Sequence, residues 1–201
     1  MIPFTSLLLR LFIVGLTVLA GTVMPAADVT AIYLDFEAPA SATAVEAMKR
    51  EAAKLVEPAG FPLEWRRLGE SESKAARRLV VVRLTGSCSA DGALPSLEKS
   101  GTTLGSTAVV DGNVLPYSRI ECDAIRGFLW EIQRSRDHTQ RDLEFGCALG
   151  RVLAHELYHA LLRTSHHHRA GFAKALQTPR DLTTDASVLA GGPRIPFEPP
   201  K

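Results

Sequence analysis

Two histidines and a glutamate, His155, Glu156 and His159, stand inside an apolar run, with Val152, Leu153 and Ala154 before them and Ala160, Leu161 and Leu162 after. The run predicts a helix from about residue 143 to residue 163. Helix positions four apart differ by about 40° of rotation and about 6 Å of rise, so both imidazoles reach one ion from the same face. Imidazole nitrogen suits zinc, and a catalytic zinc site keeps one position open for water. Glu156 is placed to take a proton from such a water, whose pKa the ion lowers. Read this way, H-E-x-x-H is the pattern of a zinc hydrolase, most often a peptidase. The plainer reading is two core or solvated histidines beside a solvated glutamate. Against it, both histidines, the glutamate, their spacing and the apolar flanks coincide here. The motif speaks more firmly for one Zn2+ ion than for any substrate.

Two histidines do not complete a catalytic zinc site, which usually has three protein ligands. His166, His167 and His168 follow the predicted helix end in an unbroken run. If Thr164 and Ser165 turn the chain, this run folds back over the ion. Consecutive turn side chains point in different directions, so one of the three should coordinate. Asp181 and Asp185 compete for the role, because a carboxylate can be the third ligand. A solvated loop with incidental metal affinity is the alternative reading of the histidine run. Tyr158, about 100° around the helix from His159, reads as a core residue.

The amino terminus sets the compartment. Arg10 precedes an apolar stretch over residues 11–20, and Pro25, Ala26 and Ala27 follow it. That is the plan of a secretory signal peptide over residues 1–27, leaving no stable membrane span after cleavage. Arg10 is the only charge before Asp28, so its removal takes the formal net charge from +1 to 0. Neither nucleic acid nor a charged surface is indicated as partner. A secreted or periplasmic chain can keep disulfides. Of Cys88, Cys122 and Cys147, the first lies in a polar loop and the second ends a strand-like run, so these two are expected to pair. Cys147 is then a small buried apolar residue, although three cysteines allow three pairings.

The rest of the chain reads as an α+β domain. Residues 29–36, 61–65 and 79–84 have strand character, the last of them central. Thr43 and Glu46 form a capping box for a helix with Val45, Met48, Ala52 and Leu55 on one face, ended by Pro58 and Gly60. Residues 104–110 are a strand, and Asp111-Gly112 signals a hairpin to residues 114–120. Pro116 places that return strand at an edge or a bulge. Residues 122–134 are helical, with Ile125, Phe128, Leu129 and Ile132 on one side, and residues 134–141 form a connector. Gly146 and Gly150 let the metal-site helix pack closely on the sheet. Residues 28–190 form one domain, a mixed sheet with an antiparallel edge strand, a backing helix, an active-site helix and a very short C-terminal subdomain. Residues 191–201 form a flexible, Pro-rich tail.

The segment of residues 155–171 resembles that of zincin-type metallopeptidases on their metzincin-like side. It is most similar to small exported bacterial zincin-like proteins in which H-E-L-x-H-x-L is followed by T-x-x-H and a glycine. Here those positions are His155, Glu156, Leu157, His159 and Leu161, then Thr164, His167 and Gly171. The resemblance implies a zincin-like fold, His167 as third ligand and Glu156 as general base. It also implies an edge strand beginning at Leu104 and Gly105 that holds an extended peptide or protein substrate by backbone hydrogen bonds. Three departures stand out. Metzincins carry glycine three residues after the second histidine, where this chain has Leu162. Their third histidine falls where this chain has Ser165, two residues before His167. Their methionine turn has no counterpart, since Met1, Met24 and Met48 all precede the motif. The expected function is therefore a secreted zinc metalloendopeptidase, with a non-catalytic zinc-binding domain as the alternative. Oligomeric state is not readable from the sequence.

Overall fold

A computed structural model describes residues 29–69, 76–91, 103–133, 135–168 and 171–183. The predicted signal peptide, Asp185 and the Pro-rich tail lie outside the described residues.

The β-branched and aromatic runs form five strands in one sheet: β1 (Thr30–Phe36), β2 (Leu63–Arg67), β3 (Arg78–Thr85), β4 (Gly105–Val110) and β5 (Asn113–Glu121). Their order is β2-β1-β3-β5-β4. β1 runs parallel to β2 and β3, and β3 parallel to β5. Only β4 is antiparallel, and it forms one edge of the sheet. The architecture is α+β with a mixed sheet, and β3 is central as its apolar run predicts.

The hairpin turns at Asp111 and Gly112, both with positive φ (49° and 77°), as a two-residue primed turn requires. β5 is not at an edge, because β3 and β4 flank it. Pro116 instead lies in an irregular stretch. Thr107 pairs with Ser118 but Val109 pairs with Val114, so extra β5 residues around Pro116 bulge out of the ladder. A missing N–H is tolerated there.

Helix α1 (Ala42–Val56) begins two residues earlier than the Thr43 box implies. Ser41 is its N-cap, and its hydroxyl accepts from the Ala44 N–H. Ser41 also bonds to the buried carboxylate of Asp142, which accepts from the Ala90 N–H. Met48 and Ala52 are buried as expected, whereas Val45 and Leu55 sit at the core's margin and Ala44, Ala47 and Val56 are buried with the first two. A 3-10 turn (Glu57–Ala59) and Gly60 at φ 90° end the helix.

Helix α2 (Cys122–Gln133) follows β5 directly, and a disulfide joins Cys88 to Cys122 with a Cα–Cα distance of 5.1 Å. On α2, Ile125 and Leu129 are buried, Phe128 is partly buried and Ile132 is exposed. Helix α3 (His138–Leu162) is 25 residues long and starts five residues before the predicted boundary, because Asp137 caps it through the Gln140 N–H. A short α4 (Pro179–Thr183) follows.

Gly146 and Gly150 face α1, not the sheet. A Cβ on Gly146 would run into the Ala44 carbonyl and approach Ala47 Cβ to 2.6 Å; one on Gly150 would lie 2.6 Å from the Met48 carbonyl oxygen. Small residues one turn apart thus make a groove that admits the neighbouring helix backbone. The core lies between one sheet face and the two helices, with Ile32, Val80, Val82, Leu84 and Ile120 against Met48, Phe145, Leu149 and Leu153. Cys147 is only half-buried, short of the full burial expected of it, and partial burial beside Glu51 still pushes its thiol pKa up.

Candidate metal centre

The second half of α3 carries the motif on the sheet-facing side of a buried helix. His155 is half-buried; Glu156 and His159 are buried. Tyr158 is fully buried, in keeping with a core role. The helix stops at Arg163, whose backbone is left-handed (φ 51°) and whose N–H bonds the His159 carbonyl. The Thr164 N–H shares that acceptor at 3.1 Å. The chain therefore reverses, and a short parallel bridge between His168 and Lys174 fixes the return.

This reversal brings His167 over the two helical histidines. Its ring stacks on His155 with centroids 5.2 Å apart and meets His159 edge-on at 4.7 Å. One nitrogen from each of the three lies within 4.8 Å of the other two. The other candidates do not join them. His166 is exposed and His168 turns its ring towards Tyr158. Asp181 is held by Lys174 at 2.6 Å and by the Thr178 backbone at 2.7 Å, which keeps its pKa low, and it is not a member of the histidine group.

The hydrogen bonds fix which nitrogens are free. His155 Nδ1 lies 2.8 Å from the Phe172 carbonyl oxygen, and His159 Nδ1 lies 2.7 Å from that of Thr164. A nitrogen facing a carbonyl oxygen must carry the proton, so both Nε2 atoms present lone pairs. Those two Nε2 atoms are 3.0 Å apart. Two lone pairs at that distance repel unless a cation sits between them. Nitrogens on a tetrahedral zinc with bonds of about 2.1 Å stand roughly 3.4 Å apart, so the donor set and its spacing fit such an ion. Burial, opposed by the Phe172 carbonyl, lowers the His155 pKa to about 4. His159 and His167 are lowered as well, chiefly by burial. Three neutral imidazoles are the form that binds metal.

Glu156 points across to the sheet edge. Thr107 on β4 donates to its Oε2 at 2.7 Å, and Thr107 Oγ1 is 3.0 Å from Ser118 Oγ on β5. Burial raises the Glu156 pKa to about 7, and the Thr107 bond partly opposes that rise. Gly105 lies beside the carboxylate; a Cβ there would be 2.8 Å from Oε1 and 2.9 Å from Val152 Cγ1. A cleft of about 550 Å³ runs between β4 and the reversed segment. Leu104, Phe128 and Val152 line it with the three histidines, Glu156 and residues 175–177. Leu104 and Gly105 thus border the cleft. Nothing in the sequence spacing assigns Thr107 or Ser118 to the site, and Phe128 stands there only as part of an apolar helix face. The alternation of Gly105 and Thr107 on one face of an edge strand was the available signal.

Comparison with protein-family models, curated proteins and solved structures gives no match.

Proposed function

We propose that the chain is an exported zinc-dependent peptidase of zincin-like fold, holding one ion through His155, His159 and His167. The observation that carries this reading is the convergence of those three imidazoles beside a buried carboxylate in an open cleft. When bound, zinc supplies Lewis-acid chemistry, acidifying water and polarising a carbonyl. The chain's own residues do the rest. His155 and His159 are held in the ligating tautomer by the Phe172 and Thr164 carbonyls. Glu156 accepts the proton of a water that attacks the peptide carbonyl, then passes it to the departing amine, giving a carboxylic acid and an amine. Burial of the carboxylate, which raises its pKa, strengthens Glu156 as a proton acceptor.

Among the described residues, β4 has a strand on one side only. An extended peptide can add to its free edge by backbone hydrogen bonds, next to Gly105 and Glu156. No helix of the described residues is long and apolar enough to cross a membrane. The Cys88–Cys122 disulfide supports an extracytoplasmic site of action after loss of residues 1–27.

The test is a comparison of wild type with Glu156→Gln on a mixed peptide library, with bound zinc measured in both. The amide keeps the shape but cannot take the proton. The variant should retain zinc and lose about 10²–10⁴-fold in turnover. Zinc without cleavage by either form identifies a binding domain instead. Cleavage undiminished in the variant removes Glu156 from the chemistry.

A further inference from the structure

The motif names Glu156 but not which of its oxygens works, nor what aims it. A side chain on the edge strand and one on the strand beside it bear on both. Thr107 has one hydroxyl proton, and its shortest acceptor is Glu156 Oε2 at 2.7 Å; the Glu156 carbonyl oxygen, at 3.1 Å, shares it. With that proton spent, the 3.0 Å contact to Ser118 Oγ must run from Ser118 to Thr107. Ser118 is fully buried and directly opposite Thr107 in the ladder. The pair is therefore fixed by sheet register, not by a mobile loop. Among the described residues Oε1 receives no such bond, and it lies over Gly105, where any Cβ would stand 2.8 Å from it.

We propose that Thr107, backed by Ser118, is a positioning residue that ties down Oε2 of Glu156 and leaves Oε1, over the bare α-carbon of Gly105, as the oxygen that exchanges protons in the cleft. This rests on the peptidase reading. The ordering matters because a glutamate has three rotatable bonds. A carboxylate held at one oxygen keeps the other at a constant angle to the histidines, and small errors in such placement cost rate. Helix α3 fixes the Glu156 backbone, and β4 fixes the far end of its side chain. The edge strand then has two separate duties, to receive substrate along its backbone and to aim the base through its side chains.

The test uses Thr107→Val, which keeps the β-branched shape and deletes the hydroxyl, with Thr107→Ser as the rescue. Three quantities are measured: zinc affinity by chelator competition, binding of acetohydroxamate to the zinc-loaded protein, and kcat and KM on any cleaved peptide. A hydroxamate bound at the ion loses its proton to a neighbouring base, so its affinity reads the aim of Glu156 without turnover. Thr107→Val should keep zinc affinity within about twofold and weaken acetohydroxamate about tenfold, the scale of one lost hydrogen bond to a charged group. The kcat should fall with KM unchanged, and Thr107→Ser should recover most of both losses. In a Glu156→Gln background, Thr107→Val should change hydroxamate affinity no further. Equal hydroxamate affinity in wild type and Thr107→Val overturns the proposal, as does an undiminished effect in the Glu156→Gln background or a parallel loss of zinc. Zinc and hydroxamate binding without peptide cleavage in the wild type counts against the peptidase reading alone. A wild type that binds no zinc overturns both.

Discussion

In the proposed metal site, His167 supplies the third nitrogen that a helix cannot provide alone. His155 and His159 are committed by helix geometry, and each has a backbone carbonyl fixing its tautomer. Among the described residues His167 has neither support; it is exposed and reaches the pair because Arg163 reverses the chain. Its neighbours share its chemistry but not its direction. His167→Ala should therefore lower zinc affinity by more than about 100-fold, since even loss of an outer-shell partner costs 10–100-fold. His166→Ala and His168→Ala should stay close to wild type in zinc affinity. Comparable losses in all three variants, measured by chelator competition, would retire the assignment of His167. The sequence by itself leads only part of this way. Helical spacing placed His155, Glu156 and His159 together, but three consecutive histidines in a turn cannot be told apart by spacing. It was likeness to a known motif that singled out His167. Asp181 drew notice as a carboxylate, yet Lys174 and Thr178 already engage it.

At the scale of elements, the strands were legible and the contacts between helices were not. The β-branched run of β3 and the Asp111-Gly112 turn are local signals with local outcomes. The partner of a helical glycine is set elsewhere in the chain, so the sequence suggests the sheet for Gly146 and Gly150, whereas they meet α1. The same holds for Ser41 and Asp137, whose capping roles depend on where each helix was free to start. Helix α1 therefore backs the metal-site helix through its backbone, and a buried Arg151–Glu51 pair at 2.8 Å reinforces the contact. Alanine favours an isolated helix over glycine by about 1 kcal/mol. At Gly150 that gain should be lost, because the new methyl would meet the Met48 carbonyl oxygen and Glu51 Cβ at 2.6 and 2.7 Å. Both belong to a packed helix that must shift as a body. Gly150→Ala should then destabilise the protein by about 1–3 kcal/mol, the usual range for overpacking. A urea midpoint equal to or above that of the wild type would mean that the groove is looser than described.

At the scale of the whole molecule, the disulfide and an ion at the proposed site would constrain different segments of the chain. The disulfide ties the loop after β3 to the first residue of α2, spanning 34 residues of sequence. Chain-entropy reasoning gives such a closure about 4 kcal/mol, and native disulfides typically deliver about 2–4. A bound ion would tie the end of α3 to the segment that carries His167, about 10 residues apart in sequence, and so stabilise mainly by favouring the folded state through mass action. Neither staple shares a residue with the other: one joins Cys88 to Cys122, and the other would join His155 and His159 to His167. Energetic effects at unconnected sites add. The double variant Cys88→Ala/Cys122→Ala should lose about 2–4 kcal/mol with zinc affinity unchanged. Chelation should lower the Tm of wild type and of that variant by similar free energies, about 2.7 kcal/mol when the zinc removed had stood at 100 times its Kd. The measurement is a four-way set of denaturation curves, with and without disulfide and with and without zinc. Strict additivity fits two independent staples on one core. A zinc effect that vanishes with the disulfide would mean that the loop carrying Cys88 bears on the histidine cluster, although the two are held by different elements.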